Sequence, residues 1–269
     1  MDYDWNYFID DLKNGKIDID ITSINKNIVC DMMKRASERK IQQMKNLVKE
    51  MFCNYRIQGT DYRYLIEKLM NAHTEYCKAR LEDEQLKRRH NALVYRYMMK
   101  TALHNKAVAM KLSVSVATVQ NDISQAVEEI MLLCFGMMAE ESKPKNLQEA
   151  IKCFICRYQL LELSQQIQIE LPWKEWQQLR IEYLEQTANL LSEIKKVIQI
   201  YEMFISSSTF PDMQERGLEA IKNVYLYGSS NISEMAAVYH VSEGTIYTDV
   251  NKMLERLTEL VEVLVEMNI

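Results

Sequence analysis

Gln120, Asn121 and Ser124 share one face of a stretch whose opposite face is apolar, and 127 residues further on Tyr247, Thr248 and Asn251 hold the same places. The side-chain amides of Gln and Asn each offer a donor and an acceptor in one plane, a pattern that pairs bidentately with adenine in the major groove. Hydroxyls of the Ser, Thr and Tyr type add single hydrogen bonds. A second set of residues is cationic: Lys87, Arg88, Arg89, Arg96, Lys106 and Lys111. With Lys78, Arg80 and Lys100 they make nine basic residues between Tyr76 and Lys111, against Glu82, Asp83 and Glu84. Such a stretch suits phosphate. Ser115 and Ser242, each just ahead of a helical pattern, join the phosphate-facing set. The chemistry expected is recognition without catalysis, in which cations hold phosphates and amides and hydroxyls read base edges.

The elements that carry these residues occur twice. Lys106 to Glu129 returns as Ser233 to Arg256, with Ala109 on Ala236, Val114 on Val241, Ser115 on Ser242, Thr118 on Thr245 and Asp122 on Asp249. Apolar positions correspond as well: Val108 with Met235, Val119 with Ile246, Ile123 with Val250, Val127 with Leu254. Each copy reads as a helix-turn-helix. A short helix presents Val108 and Leu112, the turn comes at Ser113 and Val114, and Ser115 caps a second helix that buries Val119, Ile123, Ala126 and Val127. Leu93, Val94, Tyr97 and Met98 correspond at the same spacing to Ala220, Ile221, Val224 and Tyr225, which extends the repeat to three helices.

The stretches Val114 to Ile123 and Val241 to Val250 resemble the turn and recognition helix of sigma-factor region 4. They resemble more closely the phage-type transcriptional regulators of Gram-positive bacteria that carry this unit, and Leu132 to Met137 resembles the segment after the recognition helix in those regulators. The likeness covers under half the chain. It implies an all-α protein that binds double-stranded DNA and regulates transcription, with RNA polymerase as a further partner. Two features differ from the family pattern. The turn position, usually glycine, is Ser113 in one copy and His240 in the other, so each must accept a positive φ. The recognition face, usually carrying Arg or Lys, carries Gln120 and Asn121, then Tyr247 and Thr248.

Composition agrees with a folded helical protein. Of 269 residues 48% are hydrophobic, and only three are proline and six glycine. The fold class expected is all-α, with two helical domains in tandem, each ending in a helix-turn-helix. The first spans 1–143 with its motif at about 88–130, and the second spans 144–269 with its motif at about 214–257. The boundary is set by the polar, proline-broken linker Glu140 to Asn146. Ile17 to Ile24 reads as an extended connector, Gly59 and Thr60 as a helix stop and start, and Ser206 to Pro211 as a break. The net charge of −5 is uneven, +2 over 1–143 and −7 over 144–269. DNA affinity is therefore assigned first to the amino-terminal copy.

No run approaches the roughly 18 apolar residues of a membrane span, and no signal-peptide core opens the chain. A cytoplasmic location and reduced thiols are expected for Cys30, Cys53, Cys77, Cys134, Cys153 and Cys156. Phosphate-binding glycine loops, HExxH, GxSxG and EF-hand patterns are all missing from the sequence, so no enzyme, no cofactor and no metal ligand is assigned. The four histidines are scattered. Val250, Leu254, Leu257, Val261 and Leu264 form a short seam on the last helix, which either docks on its own domain or makes a homodimer contact. The competing reading is a protein-interaction module whose helix-turn-helix folds no longer bind DNA; a sigma-like RNA polymerase-binding protein ranks after it.

Overall fold

A computed structural model describes residues 5–17, 19, 24, 26–33, 37–56, 61–80, 83–136, 144–208 and 212–268. Most of the expected connector at 17–24, the stop and start at Gly59 and Thr60, Met137, the linker as far as 143 and the break at 209–211 lie outside these residues. The described residues form twelve α-helices and no strand. These are α1 (Trp5–Lys13), α2 (Lys26–Met33), α3 (Glu38–Asn54), α4 (Asp61–Ala79), α5 (Glu84–Leu93), α6 (Asn105–Leu112), α7 (Val116–Phe135), α8 (Leu147–Gln166), α9 (Lys174–Ser207), α10 (Asp212–Ala220), α11 (Ile232–Val238) and α12 (Glu243–Met267). Short π-helical segments, Val94–Met98 and Ile221–Leu226, extend α5 and α10. Among the described residues no helix is long and apolar enough to cross a membrane.

The chain groups into two compact units that are not its consecutive halves. One comprises Met1–Lys34, Ser142–Gln159 and Ala188–Ile269, the other Arg35–Glu141 and Leu160–Thr187. Residues from both sides of 143 contribute to each.

In the unit built on 35–141, α7 is the central element. Its carboxy-terminal half is buried on every side, with Ile130, Leu133, Cys134 and Phe135 all at 0% exposure. A helix apolar all round is stable only when surrounded, and α3, α4 and α5 pack on it. Its last carbonyls are satisfied by side chains. Arg180, itself only 3% exposed, donates to the carbonyls of Cys134 and Ile167, and Thr187 donates to that of Gly136. A buried cation at a helix carboxy terminus meets both the unpaired carbonyls and the negative end of the dipole. Gly136 ends α7 at φ +67, and a Cβ there would lie 2.6 Å from Leu184.

The same unit contains a buried polar chain. His73 on α4 is fully buried; its Nε2 lies 2.8 Å from Glu129 Oε2 on α7, and its Nδ1 lies 2.9 Å from His90 Nδ1 on α5. Arg89 Nη2 lies 3.2 Å from the other oxygen of Glu129. Cys77, one turn along α4 from His73, places Sγ 4.0 Å from His73 Nδ1. Burial, helped by His73, pushes the His90 imidazole down to about 4, and burial, helped by Glu129, pushes the Cys77 thiol up to about 12.

In the other unit α12 plays the central part. Its seam is covered within the unit: Val250, Leu254, Leu257, Val261 and Leu264 are all at most 5% exposed, packed by α10, α11 and α1. The homodimer contact expected as one fate of this seam therefore has no apolar stripe left there. Trp5 and Phe8 of α1 join Tyr201 and Phe204 of α9 in an aromatic cluster, with ring centroids 4.9 Å apart for Trp5 and Phe204. Arg256 lies over the Trp5 and Phe204 rings, and the indole N–H of Trp5 donates to Glu259 at 2.6 Å.

Gly217 shows how closely α10 approaches α12. A Cβ at this position would sit 2.8 Å from the backbone oxygen of Asp249. The alanine gains about 1 kcal/mol of helix propensity. Rigid backbone cannot yield as a side-chain end can, and overpacking costs about 1–3 kcal/mol. Gly217→Ala is expected to lower stability by up to about 2 kcal/mol net, read as a lower urea midpoint at unchanged slope. A rise in midpoint would mean that the helices part without cost.

Candidate nucleic-acid interface

The helix pair α6–α7 and the pair α11–α12 are built alike at atomic detail. Among the described residues Ser113 and His240 are the two non-glycine residues with positive φ, both at +54. They occupy equivalent places after α6 and α11, where the resemblance implies this conformation. The next amide folds back in each copy: Val114 N donates to Ala109 O and Val241 N to Ala236 O, both at 3.0 Å. This is the left-handed helix stop. Val114 and Val241 are half-buried.

The second helix of each pair opens on its expected cap. Ser115 Oγ accepts from Thr118 N at 3.0 Å, and Ser242 Oγ accepts from Thr245 N at 3.1 Å. The Ser and Thr hydroxyls also bond to each other, at 2.8 and 2.9 Å. Behind the cap Val119, Ala126 and Val127 are at 0–1% exposure, and Ile246 and Leu254 at 0–2%.

A third shared feature is a buried carboxylate. Asp122 and Asp249 are 2% and 4% exposed. Arg88 clasps Asp122 with Nε at 2.7 Å and Nη2 at 3.1 Å, and Arg216 Nε meets Asp249 at 2.6 Å. Hydrogen bonding to Asp122 raises the already high pKa of Arg88 further. The two arginines are not equivalent at the 127 spacing, which equates Arg88 with the exposed Glu215. The spacing holds through the turn and second helix but slips by one in the helix before. There the loop after the π-helical segment is one residue shorter in the second copy, 227–231 against 99–104.

Most of the expected base-reading residues are exposed. Gln120, Asn121, Tyr247, Thr248 and Asn251 are exposed, while Ser124 is half-buried. Tyr247 is 50% exposed, and Thr248 donates its hydroxyl to the carbonyl of Gly244 at 2.9 Å. Gln120 and Asn121 lie on the same helix face.

The expected phosphate set divides. Arg88 is held by Asp122, and Arg89 by Gln125 at 2.8 Å and by Glu129. Lys87 pairs with Glu84 at 2.9 Å. Arg96 lies over the Tyr97 ring, and Lys111, though exposed, has its ammonium 4.2 Å from the centroid of Tyr95. Lys106 is exposed and has no ionic partner among the described residues. The fold thus pairs Lys87, Arg88 and Arg89 with acidic groups, while Lys106 and Lys111 stay exposed with no ionic partner among the described residues. Ser115 and Ser242 already use their hydroxyls as caps.

The helix starts also differ. The first turn of α7 holds no acidic residue, whereas that of α12 carries Glu243. A helix amino terminus attracts phosphate through its dipole and free N–H groups, and a carboxylate there opposes this. The repeat marks Asp122 and Asp249 as shared without revealing their burial; an acid inside an apolar 3–4 spacing is the signal for it. His73, Cys77 and His90 look scattered in the sequence, although the i, i+4 spacing of His73 and Cys77 places them on one face of a helix. Comparison with protein-family models, with curated proteins and with solved structures finds no match to this chain.

Proposed function

We propose that the chain is a sequence-specific double-stranded DNA-binding regulator of transcription, in which α6–α7 is the principal reading unit, a helix-turn-helix like those of sigma region 4 and the phage-type regulators. The observation that carries this reading is the agreement of two copies in a left-handed turn at Ser113 and His240, a Ser–Thr cap and a buried Asp–Arg clasp. That frame presents Gln120 and Asn121 outward, with Lys106 and Lys111 on the adjoining helix. Gln120, Asn121 and Ser124 would read base edges and the two lysines would hold phosphates.

The test uses the full chain, because each compact unit draws on both halves. Selection from random duplex DNA should recover a defined site. Lys106→Glu with Lys111→Glu should weaken binding on all sequences alike and reduce the slope of log affinity against log salt by about 2. Absence of any selected site, or binding indifferent to both lysines, would overturn the proposal.

A second reading is favoured for α11–α12 alone. Glu243 occupies its helix start, Arg216 is held by Asp249 and Lys222 by Glu202. With Tyr247 exposed and its cations occupied, this copy suits a protein surface, RNA polymerase among the candidates, better than a phosphate backbone. A footprint unchanged by Tyr247→Ala and Asn251→Ala would support that division of labour.

A further inference from the structure

We propose that His73, Cys77 and His90 form a binding site for a zinc-class divalent transition metal, with Glu129 holding the His73 ring from the far side. Three convergent ligand groups carry the proposal: a ring nitrogen each of His73 and His90 and the Sγ of Cys77 all lie within 4.8 Å of one another, His73 and Cys77 buried and His90 half-buried. His73 and Cys77 stand one turn apart on α4, so both project from the same face, and His90 meets them from α5.

The observed separations are near those a metal demands. Tetrahedral zinc with bonds of about 2.0 Å to nitrogen and 2.3 Å to sulfur holds its ligands roughly 3.3 Å (N–N) and 3.6 Å (N–S) apart. His73 Nδ1 is 2.9 Å from His90 Nδ1 and 4.0 Å from Cys77 Sγ. Side-chain adjustments of about an ångström or less bring all three into range.

Hydrogen bonding serves this arrangement less well than a cation does. Two Nδ1 atoms face each other, and only one proton fits between them. The thiol of Cys77 is left at 4.0 Å, a weak contact. A divalent ion would accept from both nitrogens and the sulfur at once, displacing the bridging proton and the thiol proton to solvent. The outer shell is already in place. His73 Nε2 lies 2.8 Å from Glu129, the carboxylate–histidine arrangement that fixes the tautomer of a metal-ligating ring, and Arg89 anchors that carboxylate in turn. Imidazole with thiolate selects zinc or copper-like ions over magnesium or calcium, which prefer oxygen. The fourth position would be filled by solvent from the half-exposed side of His90.

This inference is independent of the DNA-binding proposal, although it concerns the same helices: an ion here would tie α4 to α5 and, through Glu129, to α7. The test is titration of the chelator-treated full chain with Zn(II) and Co(II). One equivalent should bind, and the Co(II) form should show tetrahedral d–d bands with a thiolate-to-metal charge-transfer band. Cys77→Ser should abolish the charge-transfer band, and His90→Ala should weaken binding at least tenfold. Glu129→Gln should keep the spectrum while weakening affinity about 10–100-fold. Cys153→Ser with Cys156→Ser should change nothing. Two results would overturn the proposal: no thiolate band in the unmutated chain, or a band lost with Cys153 and Cys156 but kept without Cys77. The spectrum of the unmutated chain decides the matter even where a variant fails to fold.

Discussion

Arg88→Ala should lower the unfolding free energy by about 3–5 kcal/mol, the cost of leaving a buried charge without its partner. Asp122 is only 2% exposed, so its carboxylate cannot recover hydration once the guanidinium is gone. The side chain of Arg88 is 29% exposed, so the opposite deletion leaves a cation that water still reaches. Asp122→Asn should therefore cost less, because the amide is neutral and still accepts from Arg88. Arg216→Ala should repeat the larger loss, since Asp249 is 4% exposed. Lys106→Ala, at an exposed site without an ionic partner among the described residues, should stay within about 0.5 kcal/mol. Urea denaturation monitored by circular dichroism measures all four. Had Arg88 served chiefly as a phosphate contact, its loss would alter DNA binding and its salt dependence while leaving stability near that of the Lys106 variant. Equal midpoints for Arg88→Ala and Lys106→Ala would refute the clasp.

The features legible in the sequence are local. The left-handed turn at Ser113 and His240, the caps at Ser115 and Ser242 and the buried faces around Val119 and Ile246 each depend on residues within one or two turns. Spacing exposes the caps and the buried faces, and the resemblance to the family pattern implies the turn. The all-helical class rests on the same periodicity. Partner choice was not legible. Nine basic residues in one stretch look alike in a sequence, yet Arg88 and Arg89 turn inward to Asp122 and Glu129, on a helix some 30–40 residues away. The slip of one residue that makes Arg216, not Glu215, the clasp of Asp249 depends on the length of a loop, which has no periodic signal. The cluster of His73, Cys77 and His90 needs α4 laid against α5, and amphipathic patterning shows which face of a helix is buried without showing against what. The grouping of 160–187 with the unit containing α7 was hidden for the same reason: an arginine at 180 gives no hint that it will cap the end of a helix closing at Phe135.

Asn121→Ala should cost about 1–3 kcal/mol on the selected DNA site and little on unrelated duplexes, relaxing preference at one base pair. Asn121 is exposed, one residue before Asp122, whose clasp by Arg88 fixes the rotation of α7 about its axis. With Asp122 held inward and Val119 and Ile123 buried, Gln120 and Asn121 have no packing role to lose. Their truncation should leave stability unchanged, so any effect on binding is an effect on contact. The amide matters in kind as well as size: Asn121→Asp preserves the shape but replaces the donor with a charge, and should weaken the selected site further by repelling its phosphates. Gln120→Ala should shift preference at a neighbouring base pair. Their effects need not add, because the two side chains are adjacent. Competition binding against a panel of single-base variants distinguishes the outcomes. A loss spread evenly over every sequence would place Asn121 on the backbone, and no loss on any sequence would remove α7 from the groove.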